Sequence, residues 1–117
     1  MKKIGLVDDS VILRSAIRNV LESSGYEVVL EAGSSVELFE QIEKAAPELV
    51  LLDVFFPTEN GLDILARLRK QYPQIKVLMV TGLKQETIAE EAKRLGADGI
   101  LYKPFDTDDL LTTLKNV

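Results

Sequence analysis

Residues 49–57 read Leu49-Val50-Leu51-Leu52-Asp53-Val54-Phe55-Phe56-Pro57. The apolar run from Leu49 to Phe55 carries one carboxylate and lies between Pro47 and Pro57, which predicts a central strand of a parallel sheet, buried on both faces. In open α/β sheets ligands bind beyond the carboxyl ends of the strands, so Asp53 falls where such a fold does its chemistry. A lone Asp at a strand end is more often a cap for the turn that follows. Its meaning therefore depends on what the other strands carry at the same end.

Upstream of this run, Ile4 to Val7 is a short apolar strand that stops at Asp8-Asp9-Ser10. Ser10 suits the N-cap of a helix whose inward face is Leu13, Ile17, Val20, Leu21 and Ser24, closed by Gly25. Glu27 to Ala32 is half polar and predicts a strand near the sheet edge. Ser34 or Ser35 caps a second helix with Val36, Leu38, Phe39 and Ile42 as its apolar stripe, and Pro47 closes it.

Downstream, Phe56 to Gly61 reads as a loop, and a helix from Leu62 uses Ile64, Leu65 and Leu68 until Tyr72-Pro73. Ile75 to Val80 is another continuous apolar strand, ended by Thr81-Gly82. A helix from about Gln85 to Leu95 turns Ile88, Ala89, Ala92 and Leu95 inward and closes at Gly96. Gly99 to Tyr102 makes a fifth strand before Lys103-Pro104, and a last helix from Asp106 to Asn116, capped by an Asp or Thr, uses Leu110, Leu111 and Leu114.

Five strands alternating with five helices, with no linker between them, predict one α/β domain over residues 1–117: a five-stranded parallel doubly wound sheet of flavodoxin-like order 2-1-3-4-5. That order puts its switch point between strands one and three and brings Asp8, Asp9 and Asp53 to one crevice, bordered by Thr81 and Lys103. Singly, each has a plain explanation: an acidic pair caps a helix, a Thr closes a turn, a Lys is a solvated charge. Together they set three acids, a hydroxyl and an ammonium at the carboxyl ends of four strands. Three carboxylates so close require a divalent cation or raised pKa values. The chain has neither His nor Cys, so the cation suited to it is Mg²⁺, with Mn²⁺ as the alternative.

Composition narrows the function further. The absence of His removes the commonest general base. A net charge of −5 argues against direct nucleic-acid binding, which needs a basic face. No apolar run approaches the length of a membrane span, Met1-Lys2-Lys3 leads straight into a strand, and zero Cys agrees with a cytoplasmic location.

Over its whole length the sequence resembles the bacterial response-regulator receiver domains, including the single-domain chemotaxis and sporulation regulators. The resemblance rests on Val-Asp-Asp-Ser at 7–10, Leu-Leu-Asp-Val-Phe-Phe-Pro at 51–57 with Gly61 four residues on, Val-Thr-Gly at 80–82, Gly-Ala-Asp-Gly at 96–99 and Lys-Pro-Phe at 103–105. It implies that Asp53 accepts a phosphoryl group from the phosphohistidine of a sensor histidine kinase or phosphotransfer protein, or from acetyl phosphate. It further implies Mg²⁺ held by Asp9, Asp53 and the carbonyl of Phe55, with Asp8 contacting metal-bound water. Lys103 would pair with Asp53 or its phosphate, Thr81 and the N–H of Gly82 would bond phosphoryl oxygens, and the bond before Pro104 would be cis. The chain would be a signalling module rather than an enzyme, its output face formed by the fourth helix, fifth strand and last helix and read by a target protein or an attached output domain.

Two departures from the family pattern bear on behaviour. The switch position three residues before the Lys is Ile100 where the family has Tyr or Phe, and Tyr102 lies on the same face of the strand, one pleat on. The aromatic switch is therefore absent or relocated to Tyr102. Phe55 and Leu83, two residues after Asp53 and Thr81, are apolar and cannot orient water, which predicts slow self-dephosphorylation. Two other readings stay open: a phosphorylation-independent docking module, and a phosphatase of the haloacid-dehalogenase type. The latter needs an acid where Phe55 stands. The sequence suits both a single-domain regulator and the receiver of a longer protein. Gly99 after Asp98 and a last helix without Arg disfavour dimerisation through the fourth-helix face.

Overall fold

In the computed structural model, which describes residues 2–82 and 84–117, five parallel strands pair in the order β2-β1-β3-β4-β5. The strands are β1 (Lys3–Val7), β2 (Glu27–Ala32), β3 (Leu49–Asp53), β4 (Lys76–Thr81) and β5 (Gly99–Tyr102). Between and after them run α1 (Val11–Ser23), α2 (Ser35–Ala45), α3 (Gly61–Gln71), α4 (Glu86–Arg94) and α5 (Thr107–Lys115). The predicted order, fold class and number of elements hold.

Alternation along the central strands divides the core in two. Leu49, Leu51, Leu78 and Val80 face Ile17 and Leu21 of α1 and Leu110 and Leu114 of α5. Val50, Leu52, Val77 and Met79 face Leu38 and Ile42 of α2, Ile64, Leu65 and Leu68 of α3 and Ala92 of α4. Every residue of β3 is buried, as a strand covered on both faces must be. At the edge, β2 slips register between Ile4↔Val28 and Gly5↔Leu30; Val28 consequently joins the α1 side while Leu30 and Ala32 join the α2 side.

The helix ends follow local chemistry. Ser10, Ser34 and Asn60 cap α1, α2 and α3, and Asp106 forms a reciprocal capping box with Asp109 at the start of α5. At the other end of α1, Gly25 has a φ of 91°, the Tyr26 N–H reaches the Leu21 carbonyl and the Gly25 N–H the Glu22 carbonyl. This closure leaves Ser24 outside the helix and exposed, so it does not belong to the inward face. Val36 is likewise a correction: it is 64% exposed because a residue two before Leu38 lies on nearly the opposite side of the helix.

The central strand ends at Asp53, the strand-end position the sequence indicates. The Val54 N–H still reaches the Val80 carbonyl, but the Val54 carbonyl accepts the Gly61 N–H and Phe55 pairs antiparallel with Asn60, so the chain folds back on itself. Gly61 opens α3 against the strand end, where a methyl group would overlap the Asp53 carbonyl oxygen. Asp98 is structural: its carboxylate accepts the Val77 N–H at 2.8 Å, pinning the start of β5 to β4.

Candidate functional site

The carboxyl ends of β1, β3, β4 and β5 bring the sequence-predicted residues to one crevice. Asp8 directly follows β1; its N–H bonds the Ala32 carbonyl at 3.0 Å and its Oδ1 accepts the Ser10 N–H at 2.8 Å, which turns the chain into α1. Asp53 ends β3 with 6% of its surface exposed, and the Phe55 N–H approaches its Oδ1 at 3.4 Å. Thr81 ends β4 and is buried, and its carbonyl accepts the Lys103 N–H at 2.8 Å. Lys103 follows β5 and precedes a cis bond to Pro104. Leu83 lies outside the described residues.

Lys103 joins the site electrostatically. Its Nζ stands 3.1 Å from Asp8 Oδ2 and 3.4 Å from Asp53 Oδ2, one ammonium shared by two carboxylates. Burial pushes the Asp53 carboxyl above its ordinary value; Lys103 opposes that and the neighbouring Asp8 charge adds to it. Asp9 completes the cluster from an exposed position, and carboxylate oxygens of Asp8, Asp9 and Asp53 lie within 4.8 Å of one another. A compact set of anionic oxygens with no nitrogen or sulfur donor is the donor chemistry of a hard divalent cation, so the residues present fit Mg²⁺ or Mn²⁺.

The Phe55 backbone N–H faces Asp53, and the residue as a whole is 45% exposed. A methyl group at Gly82 would touch nothing within 4 Å among the described residues, so no present neighbour demands glycine there. Sequence reasoning passed over Arg14, whose Nη1 donates to the Asp8 carbonyl. The available signal was its position three residues before the buried Ile17, on the flank of the inward face, where an unpaired charge is costly.

Residues 4–115 match the profile of the response regulator receiver domain. The chain belongs to that family. As a receiver of the two-component type, it is 33% identical over 115 residues to the chemotaxis protein CheY of Listeria monocytogenes, covering 98% of this chain and 97% of that protein. It is 32% identical to sporulation initiation phosphotransferase F of Bacillus subtilis, over 97% of this chain and 91% of that one. Among solved structures, Vibrio cholerae chemotaxis protein CheY4 superposes with a TM-score of 0.93 at 34% identity, covering 100% of this receiver and 98% of the other. No described helix of the receiver is long and apolar enough to cross a membrane.

Proposed function

We propose that this receiver is the phosphoacceptor of a two-component pathway, with Asp53 as the residue phosphorylated. A carboxylate oxygen of Asp53 attacks the phosphorus of a phosphohistidine on a sensor kinase or phosphotransfer protein. The P–N bond breaks, its electron pair stays on the imidazole, and an aspartyl phosphate forms. Acetyl phosphate reacts in the same way and releases acetate.

The observation that carries this reading is the Lys103 ammonium held between Asp8 and Asp53 beside an all-oxygen cluster. Attack by Asp53 brings two anions together. Asp8, Asp9, Asp53 and the Phe55 carbonyl would hold Mg²⁺, or Mn²⁺ in its place, and the ion when bound offsets that repulsion. Lys103, already within reach of Asp53, takes the charge that develops on the phosphoryl oxygens, and the Thr81 hydroxyl donates to one of them. Phe55 occupies the place where a phosphatase of the haloacid-dehalogenase type needs its proton donor, which favours acceptance over turnover.

Phosphorylation then shifts a two-state population through Thr81 and the segment leading into α4, changing the face formed by α4, β5 and α5 for a target protein or output domain. The setting of that chemistry is the cytoplasm. The reading is tested by intact mass after incubation with Mg²⁺ and acetyl phosphate, beside Asp53→Asn and an EDTA control. One added phosphoryl group, lost in both controls, is the expected result. No addition, with inorganic phosphate released, would replace it with phosphatase chemistry; neither signal would leave a docking module.

A further inference from the structure

We propose that Arg14 is a positioning residue of the acidic cluster, fixing the peptide between Asp8 and Asp9 so that Asp9 can act as a cation ligand. The proposal rests on reading that cluster as a Mg²⁺ site. Asp8 is fastened on every side: its N–H bonds Ala32, one carboxylate oxygen accepts the Ser10 N–H and the other faces Lys103. Asp9 differs. Its exposed side chain makes no hydrogen bond or ion pair among the described residues, so its aim is inherited from its backbone.

That backbone is held by Arg14. The guanidinium Nη1 donates to the Asp8 carbonyl, the oxygen of the peptide that joins Asp8 to Asp9. Its Nε is anchored on Glu31 Oε1 of β2 at 3.3 Å, and its side chain is 13% exposed. Asp8, Arg14 and Asp53 line one small cavity beneath the cluster. Gly33 leaves room at this point: a methyl group there would lie 3.3 Å from Arg14 Nη1 and 3.9 Å from Asp9 Cα. With the carbonyl pinned, the 8–9 peptide plane cannot swing, and the Asp9 carboxylate stays within reach of its two partners. With the carbonyl handed over to water, the plane rotates and the third ligand is lost for part of the time.

A purely structural role for the Arg14–Glu31 pair is separable because Arg18 makes the same kind of contact. Arg18 Nη1 lies 2.5 Å from Glu31 Oε2, yet Arg18 makes no hydrogen bond or ion pair to Asp8 among the described residues. The two arginines share a carboxylate but only one touches the acidic loop.

The test is the Mg²⁺ dissociation constant of the full chain, read from amide shifts during a Mg²⁺ titration well below the melting temperature. Arg14→Met is expected to weaken Mg²⁺ about tenfold, the scale of losing a group that orients a metal ligand. Arg18→Met is expected to stay within about twofold of wild type, although both variants lose an ion pair to Glu31. Affinity unchanged in Arg14→Met, or reduced equally in Arg18→Met, would overturn the proposal. Should Arg14→Met not fold, Arg14→Lys decides: one ammonium cannot span Glu31 and the Asp8 carbonyl as the planar fork does, so at least about threefold weakening is expected and wild-type affinity overturns it. Phosphoryl uptake by the wild type keeps the two readings apart. Uptake together with unaltered Arg14→Met affinity removes the role of Arg14 alone, whereas a wild type that neither binds Mg²⁺ nor takes up a phosphoryl group removes both.

Discussion

Asp53 ionises at a cost to the fold. The native state holds its proton more tightly than the unfolded chain does, because burial raises its pKa above the ordinary 3.8. Stability is therefore lost as pH rises from that value through the raised native one. Without metal, Asp53→Asn should therefore melt at a higher temperature than wild type at about pH 7. Below about pH 3, where both side chains are neutral, the difference should vanish. Paired thermal melts in EDTA at the two pH values check this; equal melting temperatures at neutral pH would show that the buried charge costs nothing. A second expectation concerns the water that attacks the aspartyl phosphate. The apolar side chain of the exposed Phe55 offers it no hydrogen bond, so the double variant Phe55→Asn, Leu83→Glu should shorten the phosphoryl half-life by about tenfold or more, and an unchanged half-life refutes the idea. Asp8, Asp53, Thr81 and Lys103 were legible in the sequence because each directly ends or follows a strand, where position along the chain translates into position in space. Arg14 was not, because its role depends on which carbonyl lies across a turn and on the register of β2, neither of which composition or periodicity encodes.

The elements were legible in kind and order, since each apolar run has the period of its own structure, while their ends were set by bonds the pattern does not carry. Asn60 looked like a turn residue and is the cap of α3, accepting the Leu62 N–H at 2.8 Å. Gln85 looked like the first residue of α4 and is its N-cap, without a side-chain bond. That helix is the least secured of the five. It spans nine residues and buries only Ala92, the profile of an element that reorders at low cost. Coupling it to the site falls to β5. Ile100 packs against the α2–α3–α4 side of the core, whereas Tyr102, half-buried, has the Lys84 ammonium 5.6 Å from its ring centroid. Lys84 lies in the segment between Thr81 and α4, so Tyr102 contacts the segment that phosphorylation would move under the proposed function. Ile100→Ala should then keep the phosphorylation-dependent amide shifts of wild type while losing about 1–2 kcal/mol of stability, and Tyr102→Ala should lose those shifts around Lys84. Shifts lost in Ile100→Ala and kept in Tyr102→Ala would return the switch to the usual position.

At the scale of the whole molecule, the site is a tie between elements that the two cores hold only from below. Asp8 and Asp9 follow β1, Asp53 ends β3 and Lys103 follows β5, so a bound cation would fasten the ends of strands whose apolar faces are packed elsewhere. The acids crowd one end of a chain that is already acidic, with a net charge of −5, and the unliganded protein bears their repulsion across the whole fold. A ligand that binds only the native state adds RT ln(1 + [L]/Kd) to its stability. For Mg²⁺ at about a hundred times its dissociation constant that is about 2.7 kcal/mol, or about 10 °C for a domain of this size. Wild type should show this rise in Mg²⁺ relative to EDTA and an equal concentration of Na⁺ should not reproduce it. Asp53→Asn should start from the higher EDTA baseline and gain little, so the two melting curves should exchange order between EDTA and Mg²⁺. The exchange distinguishes a specific site from general screening, because screening of surface charge would raise both proteins alike and leave their order intact.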